Sequence, residues 1–295
     1  DKNKLHGTDL IPGNARIAKL TPDMLGIESV SEIPAPYHFE ANELDYINGK
    51  WVYTYNTNWM SRNEWPYNNA DGKPSTCSMV YMTSTMPMQK DSWTYENNYL
   101  KNPGEYGMSY CNNHTHLLKY EGQWYIFYHN LLLKDYHDFD GGFRSICVDK
   151  IDVDEKNVKI KMTQMTRKGV DQIRPLNPFQ IQQTETVAGT LNATFAETET
   201  VGNTVLDVTG ANQTVMVRGA KFSKSPKQIV CKVKGHGSFK VCIGTPDSQP
   251  VAKVSVNSND WKNVKASIKG KVRGQQNVYF ISENGNYQFD EWKFE

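Results

Sequence analysis

Tyr37-His38-Phe39-Glu40-Ala41-Asn42-Glu43-Leu44-Asp45-Tyr46-Ile47-Asn48-Gly49-Lys50-Trp51-Val52-Tyr53-Thr54-Tyr55 is the stretch on which the reading of this chain turns. Asn48-Gly49 lies between two β-rich runs, and both residues tolerate the positive φ of a type I′ turn, so the spacing predicts a hairpin whose second strand is Lys50 to Tyr55. Glu40, following two aromatics and a histidine, stands at the entry to that hairpin. The pattern recurs where His114-Thr115-His116-Leu117-Leu118-Lys119-Tyr120 runs through Glu121-Gly122 into Gln123-Trp124-Tyr125-Ile126-Phe127-Tyr128. Both second strands follow the order Gly, polar, Trp, alternating aromatics. A repeated meander points to propeller blades, in which each sheet buries its faces against its neighbours and polar pre-turn residues point to a shared centre.

Composition narrows the partners. Lys plus Arg number 33 against 32 for Asp plus Glu, a net charge of +1 that offers a polyanion no attraction, so nucleic acid is not an expected ligand. Aromatic residues make up 12%, with 16 Tyr and 7 Trp, which suits a neutral ligand whose C–H faces stack on rings, as sugars do. The five cysteines, Cys77, Cys111, Cys147, Cys231 and Cys242, include no Cys-x-x-Cys pair and indicate neither a zinc site nor a disulfide framework. Cys231 and Cys242 could pair within a hairpin or remain buried thiols. There is no run of about 18 apolar residues, so no membrane span is expected. The chain opens on Asp1-Lys2-Asn3-Lys4 without a signal peptide, so an export signal is expected to lie upstream or to have been removed.

In chain order, Asn14 to Leu20 alternates as a strand, Thr21-Pro22-Asp23 turns, and Met24 to Val30 resumes. A lone strand cannot shield its own edge, so it is expected to complete a blade begun upstream, and dimerisation through an open edge is a further expectation. Met60 to Ser75 is a long polar loop between the strands Trp51 to Tyr55 and Met79 to Ser84, of a length that is usually functional. Gly141 to Ile151 is expected to open another meander, and Lys156 to Met165 to form a strand. Pro175-Leu176-Asn177-Pro178 marks a linker between residues 1–178 and 179–295. Beyond it, Ile229 to Lys234, Ser238 to Ile243, Ala252 to Val256, Val264 to Ile268 and Asn277 to Ile281 alternate at the close spacing of a β-sandwich. The fold class is thus all-β, a partial propeller followed by a sandwich.

Asn14 to Leu20 with Asp23-Met24, Tyr37 to Ala41 with Asn48 to Trp51, Leu100-Lys101-Asn102-Pro103, Asn112-Asn113-His114, Trp124 to His129 and Gly142-Phe143-Arg144-Ser145 together resemble, over about residues 10 to 178, the later part of a family 43 glycoside hydrolase. That resemblance implies a five-bladed propeller that removes arabinose or xylose from plant xylan or arabinoxylan with inversion, secreted or periplasmic. The second part is similar to a family 6 carbohydrate-binding module, on Gln183 to Thr186, Val217 to Phe222, Asp260-Trp261 and Phe289 to Phe294.

Inverting glycosidases need an acid for the leaving oxygen and a carboxylate base for water, about 6.5–9.5 Å apart. The resemblance makes Glu40 the general acid, with Tyr37 and Phe39 expected to desolvate it; by its residues alone it reads as a solvated strand-edge glutamate pairing with a lysine. The family's two aspartates are expected upstream of Asp1, which would leave this segment nearly inert. The alternative is a carbohydrate-binding protein without catalysis. His114 matches a histidine on the propeller axis that helps hold a central ion, although Thr115 stands where relatives carry a second histidine. Arg144 and Trp59 are expected at the substrate, Arg144 as a fixed cation for a hydroxyl or a carboxylate. In the second part, Gln183, Glu185 and Asp290 match positions that ligate a structural Ca2+, weakened by Gln183 replacing a glutamate. Trp261, Tyr287 and Gln288 are the residues expected to touch sugar there.

Overall fold

Both Gly-bearing turns form as the sequence predicts: Asn48 and Gly49 take φ of 44° and 82°, Glu121 and Gly122 of 50° and 80°. A computed structural model describes residues 9–60 and 62–295, and the chain divides after Val170 into two units. Asp1 and the chain opening lie outside the described residues, as does Ser61 in the long loop.

In the first unit, the hairpin of β1 (Arg16–Leu20) and β2 (Ile27–Glu32) precedes two larger antiparallel sheets. The first sheet runs in the order β3 (His38–Ile47), β4 (Lys50–Thr57), β5 (Met79–Ser84), β6 (Thr94–Leu100). The second is β7 (Thr115–Tyr120), β8 (Gln123–Asn130) and β9 (Ser145–Lys150), with the short helix α1 (Leu132–His137) between its last two strands. Alternation along β4 sends Tyr53 and Tyr55 into one apolar cluster with Val80, Met82, Trp93 and Tyr95, and Val52 into another with Met79, Tyr81, Tyr99, Leu117, Ile126 and Tyr128. A strand buried on both faces explains why this segment reads as a near-continuous aromatic run.

Two expectations fail here. The segment at Gly141 to Ile151 opens no new meander, because Ser145–Lys150 pairs with β8 from Tyr125↔Lys150 to Asn130↔Ser145. Within Lys156 to Met165 only β11 (Lys159–Ile160) is a strand, paired with β10 (Val153–Asp154). Its neighbouring backbone donors go to the first sheet instead, Ile160 N–H to the Tyr81 hydroxyl at 3.1 Å and Thr163 N–H to Tyr99 O at 2.9 Å.

Register decides which ends meet. Glu40 pairs with Asn56 and Thr115 with Tyr128, so the start of β3 lies beside the end of β4, and the start of β7 beside the end of β8. Glu43 joins the two hairpins in the same sense, its carboxylate accepting from Leu117 N–H at 3.1 Å and contacting His116 Nδ1. The connections 58–78 and 131–144 therefore leave their sheets at the end where Glu40 sits. The first is pinned by Arg62, whose guanidinium donates to the carbonyls of Asn58, Met60, Pro74 and Ser75.

The second unit starts before the expected boundary at 178, since Leu176 N–H donates to Gly219 O and Lys221 N–H to Leu176 O. The strands expected as short pieces are continuous: β17 (Gln228–Ile243) and β18 (Ala252–Ser267) pair along most of their length, and β19 (Gly274–Phe294) pairs with β17. β12 (Gln182–Gln183), β13 (Gly189–Leu191), β14 (Thr194–Glu197), β15 (Thr204–Thr209) and β16 (Thr214–Phe222) complete the sheet. β19 pairs with β16 through Ile281 and with β15 from Asn286, changing partner at Gly285, whose φ is 90°. Its inner face supplies Phe280, Tyr287, Phe289, Trp292 and Phe294 to one core around Phe239. No helix among the described residues is long and apolar enough to cross a membrane.

Candidate active site

Glu40 sits in an irregular stretch of β3. The pairing register shifts on both sides of it, and Tyr37 and Ala41 adopt φ of 52° and 55°. A bulge re-aims a side chain relative to the sheet, and here it presents the Glu40 carboxylate to the loop before β7. Glu40 Oε1 accepts from Asn112 Nδ2 at 2.5 Å and lies 3.1 Å from His114 Nε2. Because a carboxylate oxygen only accepts, the imidazole presents its Nε2–H there. Asn112 uses its other end to accept from Trp59 Nε1 at 3.0 Å. One amide thus fixes a carboxylate and an indole together.

The side chains of Glu40 and His114 are 35% and 37% exposed, so the carboxylate is half-buried and still reachable. Tyr37 does not cover it as expected. Its ring stacks near Trp65 beneath the Arg62 guanidinium, and its hydroxyl donates to Glu64 O, both facing the long loop.

Beneath His114, the ring of His129 approaches edge-on with centroids 5.1 Å apart. His129 is 8% exposed, and neither ring nitrogen has a hydrogen-bond partner among the described residues, nor has the buried Asn113 Oδ1. A water or a ligand hydroxyl would satisfy them. Burial, with the positive charge of Arg144 second, pushes the His129 pKa down to about 4, so the ring is neutral near pH 7. Arg144 itself is exposed and borders this cluster through its charge on His129 and Cys111.

The structure therefore gathers Glu40, His114, Trp59 and, at the edge, Arg144. Asn112 and His129, which sequence reasoning assigned no role, belong with them. Asn112 precedes His114 by two residues, and His129 closes the aromatic run of β8; only the facing hairpin shows what each can reach. His114 Nε2 is directed at Glu40, and among the described residues no group of three His, Cys, Asp or Glu side chains is spaced to hold a metal ion.

In the second unit, Trp261 and Gln288 line a cavity of about 440 Å³ with Asp290, Lys232, Lys234 and Asn203. Lys232 Nζ is 2.7 Å from Asp290 Oδ2 and lies over the Trp261 ring at 5.7 Å. Tyr287 is not at this surface, contrary to expectation: it is 4% exposed and stacks on Phe239 in the core, where alternation along β19 sends it. Gln183 Oε1, Glu185 Oε2 and Asp290 Oδ1 are buried without a hydrogen-bond partner. Three orphaned hard oxygens near the paired ends of β12 and β19 fit a cation by donor chemistry, although Asp290 commits its other oxygen to Lys232. Cys231 and Cys242 are buried free thiols.

This mostly β chain, with a carboxylate, histidine and tryptophan held at one end of facing hairpins, is similar to arabinoxylan arabinofuranohydrolases. That of Paenibacillus polymyxa is 28% identical over 301 residues, covering 96% of this chain and 46% of that protein. That of Bacillus subtilis (strain 168) is 29% identical over 311 residues, covering 99% and 58%. The crystal structure of a glycoside hydrolase family 43 arabinoxylan arabinofuranohydrolase from Bacillus subtilis, in complex with cellotetraose, superposes with a TM-score of 0.83 at 27% identity, over 97% of this chain and 60% of that one. The chain spans about half the length of the curated relatives it matches. No protein-family model matches it.

Proposed function

We propose that these residues form the acid-bearing side of a glycosidase site that acts on xylan or arabinoxylan with inversion, with Glu40 as general acid. One observation carries this: both contacts on the Glu40 carboxylate fall on Oε1, so Oε2 is the oxygen placed to deliver a proton while Asn112 and His114 hold the group in position. Trp59, tied to the same Asn112, offers a ring for a sugar face. Arg144 is a fixed donor for a hydroxyl. The similarity to arabinoxylan arabinofuranohydrolases supports the substrate class.

In this reading the β3–β6 and β7–β9 sheets are propeller blades and the second unit is a β-sandwich carbohydrate-binding module. Trp261 and Gln288 contact sugar there, and a Ca2+ held by Gln183, Glu185 and Asp290 ties the first strand to the last. A polymeric plant cell-wall substrate implies action outside the cytoplasm.

No second carboxylate joins Glu40 among the described residues of the site, and one positioned acid is worth only about 10²–10⁴ in rate. A polypeptide of these 295 residues alone is therefore expected to be nearly inert toward aryl arabinofuranosides and xylosides. A longer polypeptide that adds a second carboxylate to the site is expected to cleave at least one, and Glu40→Gln to lower its kcat by about a hundredfold or more without changing the melting temperature. Full activity in that variant would remove Glu40 from the chemistry.

A second reading, carbohydrate binding without catalysis, is favoured by the Trp261 cavity alone. It predicts oligosaccharide binding that Trp261→Ala abolishes and no turnover by any form of the protein.

A further inference from the structure

The connection between β8 and β9 carries more apolar surface than its own packing uses. Leu133, Tyr136, Phe139 and Phe143 are 60%, 82%, 55% and 64% exposed. Their placement is ordered: the rings of Tyr136, His137, Phe139 and Phe143 follow one another at centroid separations of 4.9, 5.2 and 6.3 Å. Beside them opens a cavity of about 420 Å³ lined by Leu133, Lys134, Phe139, Asp140, Phe143 and Arg144. Contiguous exposed aromatics rimmed by a few charged groups mark a binding surface rather than an unfinished core.

Position in the fold says what binds. The connection leaves β8 at His129 and Asn130, the end where β7 starts and where His114 meets Glu40. On the other side, the connection from β4 carries Trp59, itself 40% exposed and bonded to Asn112. Arg144 belongs to both places, lining the cavity and bordering His129. A long ligand that extends from Glu40 past His129 toward Arg144 would meet this surface. Ring faces interleaved with Lys134, Asp140 and Arg144 suit a chain that is apolar on its C–H faces and hydroxylated at its edges. A protein partner or a second copy would instead favour a patch whose centre is free of charge.

We infer that residues 131–144 form a platform for the polysaccharide chain whose glycosidic bond is presented to Glu40. Phe139 and Phe143 stack on sugar rings, and Lys134, Asp140 and Arg144 bond their hydroxyls. The inference rests on the glycosidase reading above and adds to it a subsite for sugars remote from the cleaved bond. Such remote contacts position a substrate without entering the chemistry.

Titration calorimetry with arabinoxylan-derived oligosaccharides of increasing length, from two sugar units to six, tests it on the full chain and on a Phe139→Ala/Phe143→Ala double variant. Both side chains are largely exposed, so the variant is expected to melt with the parent. Affinity of the parent should rise about tenfold or more with length, and the variant should lose that rise while keeping its affinity for the shortest ligand. An unchanged length dependence in the variant overturns the platform. So does sedimentation showing a dimeric parent and a monomeric variant, which would make the patch a self-association surface. Parent binding that does not grow with length overturns the platform and leaves the glycosidase reading standing, whereas a parent that binds no fragment of any length overturns both.

Discussion

Asp45→Asn is expected to stabilise the first unit at neutral pH and to do nothing in acid. Asp45 lies two residues beyond Glu43 on β3, and its Oδ2 is buried with no hydrogen-bond partner. Burial, and then the neighbouring Glu43 carboxylate, push its pKa up from an ordinary 3.8 to about 6, with His116 opposing weakly. The folded chain thus binds this proton more tightly than the unfolded chain. Its contribution to stability is complete below about pH 3.8 and is lost as pH rises to about 6, where the folded state must carry the charge. Each tenfold in proton affinity is worth ~1.4 kcal/mol, so the ceiling is about 3 kcal/mol; water reaching the half-buried side chain reduces this to ~1–1.5 kcal/mol. Asparagine keeps the shape and removes the charge. Urea unfolding followed by tryptophan fluorescence at pH 3 and pH 7.5 should show the variant equal to the parent at the lower pH and more stable at the higher. A variant less stable than its parent at pH 7.5, or an advantage that does not change with pH, would refute the assignment of Asp45 as an uncompensated charge.

Asn112→Ala should loosen Glu40 and Trp59 together, lowering oligosaccharide affinity by about tenfold and red-shifting the Trp59 emission; a loss without the spectral change would separate the two roles. Chelation should lower the melting temperature of the second unit, by an amount that added Ca2+ restores, if Gln183, Glu185 and Asp290 hold an ion. Gly285→Ala should destabilise that unit by ~2 kcal/mol or more in thermal unfolding, because a Cβ there overlaps the His236 carbonyl oxygen and Gly237 Cα at a φ of 90°.

Local chemistry was legible wherever one residue type suffices for a conformation. Asn48-Gly49 and Glu121-Gly122 announce their turns because so few residues accept two consecutive positive φ values, and alternation around them sets the strands of both hairpins. Glu40 and His114 were singled out by the motifs that resemble a glycosidase family, and both occupy the candidate site. What could not be read was which face or end a residue meets. Tyr287 and Gln288 are neighbours in sequence, yet one is core and the other lines a cavity, since a strand sends successive side chains to opposite faces. Strand length also escaped: β19 reads as a short run near Asn277 to Ile281, but pairs on to Phe294 because Gly285 lets it change partners.

The sequence by itself determined the β character of the chain and the turns of its two hairpins, since turn propensity and alternation act within a few residues. Only the tertiary structure decided that Asn112 bridges Glu40 to Trp59, 72 and 53 residues away, that His129 lies under His114, and that Tyr37 turns from the carboxylate to the long loop. Those contacts depend on how two hairpins face each other, and that is set by long-range burial and by Glu43 reaching across to β7, neither of which leaves a mark in local spacing.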